Sequence, residues 1–158
     1  MLKDANWIVE QTGMIDPFVD HKVITNEVMS YGLETFGYTF RVSGMWRPVN
    51  KRKREDAILD PKNIDKELWV EFRGAHFDLY PGSCVLVKSM EEFKIPEGIV
   101  AFGYGKVSYM NLGVIPNIAP LEPGYEGVLS FSIANNQKVP VRLYAEEGIA
   151  HLVFFDAV

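Results

Sequence analysis

The sequence predicts an all-β protein of jelly-roll type, a sandwich or barrel, formed by one domain over residues 1–158 with a short N-terminal helix. Two observations favour this class. Short apolar runs with alternating or β-branched residues recur along most of the chain, and turns rich in Pro and Gly separate them. In addition, 158 residues with 47% hydrophobic content are enough for one real core. No internal repeat, low-complexity tract or linker divides the chain.

The N-terminal part contains the predicted helix and the first strand. Asp4 is suited to cap a helix over residues 5–11, and Gly13 is suited to end it. Alternation over residues 36–43 predicts a strand that ends before Gly44. Residues 46–67 are polar and charged, and their basic run at 51–56 indicates a solvated loop, with contact to phosphate or an acidic partner as the alternative.

The rest of the chain reads as short strands. We predict them at 68–72, 77–79, 84–88, 99–102, 128–134, 139–144 and 149–155. The strand at 128–134 places Leu129, Phe131 and Ile133 on one face. Ser130 and Ser132 therefore lie on the face away from the core.

Composition excludes several classes of function. A net charge of −5 and a pI near 5.2 argue against a general nucleic-acid binder. The single cysteine, Cys84, allows no disulfide and no cysteine metal cluster, and its apolar neighbours predict a buried, inert thiol. No two histidines have metal-ligand spacing, so we expect no zinc. Without an apolar membrane-spanning segment or a signal peptide, we expect a soluble cytoplasmic protein.

The stretch from residue 105 to 127 carries the strongest functional pattern. It begins with Gly105, Lys106 and Ser108, and we expect a loop whose amides, ammonium and hydroxyl suit phosphate oxygens. An apolar run at 112–119 and a tight turn at 122–127 follow. A polar loop, a strand and a turn in this order predict one wall of a pocket.

This stretch resembles the central motif of the dCTP deaminases in the trimeric dUTPase superfamily. The matching residues are Gly105, Lys106, Tyr109, Gly113, Asn117, Pro120, Leu121, Glu122, Pro123, Glu126 and Gly127. Further matches at 14–18, 30–33, 41–43, 60–63 and 144–148 extend the resemblance over nearly the whole chain.

The resemblance implies a dUTPase-like distorted jelly roll or β-barrel that assembles as a homotrimer with pockets between subunits. It also implies a deoxynucleotide ligand, with Mg²⁺ bound to the nucleoside triphosphate. The candidate nucleotide-binding residues are Gly105, Lys106, Ser108, Asn111, Asn117, Tyr125 and Ser132. The family's tail beyond the last strand closes over the nucleotide. Because this chain stops at Val158, we expect an open, wet pocket.

Three positions depart from the deaminase pattern. Where the resembled enzymes have a catalytic serine, arginine and glutamate, this chain has Val107, Asn111 and Ser132. A serine cannot serve as the general base near pH 7. Glu122 aligns with the carboxylate that orients water in the dUTPases, and its alternative role is to stabilise the turn.

Three functions remain open at this point. The first is a dCTP deaminase-like protein that lacks deaminase activity and binds a deoxynucleotide or another protein. The second is an active deoxynucleotide enzyme, either a deaminase with relocated groups or a triphosphate hydrolase that uses Glu122 and Mg²⁺. The third is a structural trimer without a ligand.

Overall fold

The computed structural model describes residues 1–50 and 57–158, so the basic run at 51–56 lies outside the described residues. Two short α-helices and thirteen β-strands are present in this part of the chain. In chain order they are α1 Ala5–Glu10, β1 Ile15–Asp16, β2 Lys22–Val23, β3 Tyr31–Leu33, β4 Tyr38–Arg41, β5 Met45–Pro48, β6 Phe72–Arg73, β7 His76–Leu79, β8 Cys84–Lys94, β9 Ile99–Gly105, α2 Val107–Met110, β10 Val114–Asn117, β11 Glu126–Asn135, β12 Val141–Tyr144 and β13 Gly148–Asp156.

The strands form two main antiparallel sheets. The first sheet has the order β10-β11-β8-β5-β6, with β1 also paired to β8, and the second has the order β2-β3-β4-β13-β9. Strands β7 and β12 form a separate pair. The prediction of a mostly β protein with a short N-terminal helix is confirmed, although these sheets do not close into a barrel in the described part of the chain.

The core lies between the two main sheets and is rich in aromatic side chains. Phe40 of β4 packs edge-on against Phe93 of β8 and Phe131 of β11, with ring centroids 5.8 and 5.6 Å apart. Strand β11 buries Leu129, Phe131 and Ile133, as its alternation predicts. Its intervening residues therefore face away from the core, and this orientation positions the candidate site.

A buried ion pair also joins the two sheets. The Nε of Arg41 on β4 donates to Oε1 of Glu91 on β8 at 2.7 Å, and the backbone amide of Arg41 donates to Oε2 at 2.8 Å. The guanidinium lies over the ring of Tyr31, 4.7 Å from its centroid. Burial raises the pKa of Glu91, and the hydrogen bonds from Arg41 oppose that rise.

Local predictions near the N-terminus and around residue 70 differ in outcome. Asp4 caps α1 by accepting from the amide of Trp7 at 3.0 Å, as its side chain predicts. The strand predicted at 68–72 is largely wrong. A 3₁₀ turn at Lys66–Leu68, capped by Asp65, occupies its beginning, and only Phe72 at its end belongs to a strand.

Cys84 is exposed, so the predicted buried thiol is wrong. Strand β8 alternates with Val85 and Val87 directed into the core, and this alternation places Cys84 on the outer face. No helix within residues 1–50 and 57–158 is long and apolar enough to cross a membrane.

Candidate functional site

The outer face of the first sheet carries two of the predicted nucleotide-binding residues side by side. Ser132 of β11 is the direct cross-strand partner of Asn117 on β10. On its other side Ser132 pairs with Leu86 of β8, which in turn pairs with Arg47 of β5. Neighbouring strands lie about 4.8 Å apart, and paired residues point to the same face. The four residues therefore form one row across the sheet, which we call the outer row.

The predicted phosphate loop has a different backbone from the one expected. Gly105 is the last residue of β9 and pairs with Ala150 of β13, so it belongs to a strand. Lys106 is extended, and Ser108 lies in the helix α2. The loop prediction is wrong because Tyr109, which is 3% exposed, turns the segment inward to join the core.

Gly105 also lies next to the outer row. A Cβ added to it would meet Cγ of Met110 at 2.7 Å and Cδ of Pro116 at 3.2 Å. Pro116 directly precedes Asn117 on β10. The lack of a side chain at Gly105 thus lets the end of β9 approach the edge strand that carries Asn117.

Lys106 is held by a residue far away in the sequence. Its Nζ donates to Oγ of Ser30 at 2.6 Å, and its side chain is half-buried. Burial lowers the pKa of Lys106, the charge of Lys22 lowers it further, and Glu34 opposes both effects. A strand contact fixes Ser30, because Gly148 at the start of β13 lies directly against the Ser30 carbonyl and leaves no room for a Cβ.

The short helix α2 exposes most of its side chains. Val107, Ser108 and Asn111 are exposed, whereas Tyr109 is buried. The hydroxyl oxygen of Tyr109 accepts from the amide of Tyr144 at 3.3 Å, and burial raises the pKa of this tyrosine to about 12. Tyr109 therefore anchors the helix, and its neighbours remain accessible to a ligand.

The turn with Glu122 and Tyr125 forms a separate group. The amide of Tyr125 donates to the carbonyl of Glu122 at 3.0 Å, and the Tyr125 hydroxyl donates to the Val128 carbonyl at 2.8 Å. Burial raises the pKa of Tyr125. The carboxylate of Glu122 is exposed and has no hydrogen bond or ion pair within the described residues.

The predicted residues thus fall into two neighbourhoods. Backbone pairing and packing bring Gly105, Lys106, Asn117 and Ser132 to one corner of the molecule, together with the exposed side of α2. No hydrogen bond or ion pair in residues 1–50 and 57–158 links this corner to Glu122 or Tyr125.

Sequence reasoning missed the partners that hold this corner. Ser30 and Glu34 both affect Lys106, but they lie more than seventy positions away along the chain. Residues 30–33 are among those that match the resembled family, so the sequence does single out Ser30. Nothing in that match indicates that Ser30 contacts Lys106. The neighbouring His151 has a structural environment, with its ring nitrogens 3.1 Å from Oγ1 of Thr39 and 2.9 Å from the carbonyl oxygen of Phe36.

The described residues contain no group of three or more His, Cys, Asp or Glu side chains arranged to hold a metal ion.

Comparisons with known proteins place the chain in a family. A sequence profile described as dCTP deaminase-like matches residues 5–157. The dCTP deaminase of Chloroflexus aurantiacus is 38% identical over 99% of this chain and 84% of its own length. That of Herpetosiphon aurantiacus is 37% identical over 98% of this chain and 84% of its own length.

A solved structure supports the fold. The 2′-deoxycytidine 5′-triphosphate deaminase of Agrobacterium tumefaciens superposes with a TM-score of 0.70 over 97% of this chain and 47% of that chain, at 14% identity. At that identity the likeness concerns the fold alone. Together with the profile and the two relatives, it leads to one conclusion: this chain belongs to the dCTP deaminase-like family.

Proposed function

We propose that this chain is a dCTP deaminase-like protein that binds a deoxynucleotide and does not deaminate dCTP. The observation that carries the proposal is the composition of the outer row. Its paired positions hold Asn117, Ser132, Leu86 and Arg47, and none of them is a carboxylate.

Deamination of cytosine without a metal needs a group that activates water and returns the proton to the leaving ammonia. General acid–base help of this kind is worth roughly 10²–10⁴ in rate. By resemblance, the family places its glutamate at the position of Ser132, whose hydroxyl cannot hold a negative charge near pH 7. Asn111 likewise supplies no positive charge where the family has arginine.

The same corner retains side chains that are suited to bind the base and the phosphates of a nucleotide. Asn117 has an amide that donates and accepts hydrogen bonds, which suits the edge of a base. Lys106 presents an ammonium beside the exposed start of α2 and suits a phosphate oxygen. The pocket is completed by a homotrimer, in which a neighbouring copy supplies the opposite wall, and Mg²⁺ accompanies a bound triphosphate.

An active deoxynucleotide enzyme is the second candidate, and a specific observation favours it. The relatives that match at 37–38% identity over 84% of their length are named dCTP deaminase. Glu122 is the carboxylate with which such an enzyme could work, because it is exposed and unpaired among the described residues. Among the described residues, however, no hydrogen bond or ion pair links its turn to the corner that contains Ser132.

Thermal shift and light scattering test the proposal together. A nucleotide that binds only the native state raises the melting temperature with the logarithm of its concentration above Kd. We expect such a rise with dCTP, dUTP or dTTP in the presence of Mg²⁺, and none with the free nucleosides. Light scattering should give about three times the chain mass of 17.9 kDa.

A matched control is the Lys106→Ala variant, which should lose most of the shift and keep the mass. The absence of a shift with every deoxynucleotide would contradict the proposal. It would instead favour a protein-binding or purely structural trimer. A monomer by light scattering would remove the shared pocket.

A further inference from the structure

A cavity lies on the outer face of the first sheet, at the far end of the outer row from Asn117. It has a volume of about 290 Å³. Three cationic side chains, Arg47, Arg73 and Lys88, line it together with the carboxylate of Glu71. The three cationic residues lie on β5, β6 and β8 respectively, so strands hold their backbones in place. We call this cavity the cationic pocket.

The charge of the cationic pocket is opposite to that of the whole chain. The chain has a net charge of −5, yet three cations face one carboxylate here. Within the part of the chain that the structure describes, Arg73 and Lys88 take part in no ion pair. Such a local excess of positive charge attracts anions.

Arg47 is paired with Glu71 by charge but does not use its Nε–H in a hydrogen bond. Its Nε lies 3.3 Å from Oε2 of Glu71, an ion pair whose geometry makes no hydrogen bond. This buried Nε–H consequently has no acceptor among the described residues. A buried donor of this kind usually has an acceptor, which can be a water molecule or an oxygen of a bound anion.

The walls also supply hydroxyl and apolar groups. Ser130 is the cross-strand partner of Lys88 and lines the cavity beside it. Met45 and Val128 add apolar surface to its lining. Its volume of about 290 Å³ is close to the lower limit that is usual for small-molecule sites, roughly 300 Å³.

An apolar cavity of about 480 Å³ adjoins the cationic pocket, and the two share Arg47 and Leu86 in their walls. The second cavity is lined by Leu59, Ile64 and Trp69, among others. A ligand with an anionic end and an apolar or aromatic end could thus place one end in each.

We infer that the cationic pocket is a binding site for an organic phosphate. The phosphate oxygens accept hydrogen bonds from Arg47, Arg73 and Lys88, and the ligand's apolar group packs against Trp69. The cationic pocket shares Arg47 and Leu86 with the outer row, but Gly105, Lys106, Asn117 and Ser132 of the Lys106 corner do not line it.

Calorimetry with phenyl phosphate and inorganic phosphate tests the inference. Phenyl phosphate should bind the wild-type chain saturably and more tightly than inorganic phosphate. Lys88→Gln and Arg73→Gln should each weaken it by about tenfold or more, because each removes a charge-assisted hydrogen bond. Both side chains are exposed, so we expect both variants to fold.

Lys94→Gln is the matched control, because Lys94 is an exposed lysine on the same strand but outside the pocket. The Lys94→Gln variant should bind phenyl phosphate as tightly as the wild type. The Lys88→Arg variant, which keeps the positive charge, should retain most of the affinity. Three results would overturn the inference: no saturable binding to the wild type, equal losses in Lys88→Gln and Lys94→Gln, or a loss only in Lys106→Gln. Equal affinities for phenyl phosphate and inorganic phosphate would overturn the part of the inference in which the ligand's apolar group packs against Trp69.

Discussion

Lys106 acquires its properties from residues that are distant along the chain. The motif at residues 105–108 indicates a phosphate-binding lysine, and that interpretation stays a prediction. The motif does not indicate that Ser30 holds the ammonium or that Lys22 and Glu34 act on its charge. Both effects depend on the tertiary packing that brings Ser30, Lys22 and Glu34 close to Lys106, which local sequence does not encode.

The environment of Lys106 leads to a prediction about pH. Burial and Lys22 lower the pKa of Lys106 below its ordinary value of 10.5, so it loses its charge at a lower pH than a free lysine. A contact between the ammonium and a phosphate needs the charged form. Affinity for a nucleoside triphosphate should therefore be highest below the lowered pKa and fall as pH rises through it.

Calorimetry between pH 7 and pH 10 measures this dependence. The Lys106→Arg variant keeps its charge throughout this range, so its affinity should stay nearly constant. If the wild type and Lys106→Arg lose affinity in parallel, the titrating group lies elsewhere and Lys106 does not contact the phosphate.

At the scale of elements, alternation was the reliable signal. It predicts the buried face of β11 and, by the same rule, the outward direction of Ser132. Propensity was less reliable where burial decided the outcome. The predicted loop at residues 105–108 became a strand end and a short helix because Tyr109 joins the core. Residues 68–72 look like a strand, yet a turn capped by Asp65 begins there.

The buried pair between β4 and β8 should be a main support of the sheet packing. Glu91 is fully buried, and the side chain of Arg41 is 10% exposed. Removing the charge of Glu91 leaves the guanidinium buried without its partner, which typically costs about 3–5 kcal/mol. The expected result is that Glu91→Gln lowers the free energy of unfolding in urea by about this amount.

Asp78→Asn provides the comparison, because Asp78 pairs with Arg142 through two hydrogen bonds in an exposed position. Exposed pairs contribute little, so this variant should unfold almost like the wild type. Equal effects of the two substitutions would show that the Arg41–Glu91 pair does not hold the sheets together.

At the scale of the whole molecule, the sequence predicts the fold class, the N-terminal helix and the family. It does not predict the outer row or the cationic pocket. Each of these surfaces collects residues from strands that are far apart in sequence, such as Arg47 and Ser132. Strand order and register decide which of them meet, and neither is visible in a single strand. The sequence also identifies Ser132 and Asn117 separately but not as cross-strand partners.

The fate of dCTP tests the central proposal most directly. Wild-type protein at high concentration is incubated with dCTP and Mg²⁺, and chromatography follows dCTP, dUTP and dUMP while an enzymatic assay follows ammonia. We predict that dCTP is recovered unchanged, because the position of Ser132 carries no carboxylate and its paired neighbours supply none. Sustained release of dUTP or dUMP with one ammonia per dCTP would contradict this account, and its loss in Glu122→Gln would identify the carboxylate responsible.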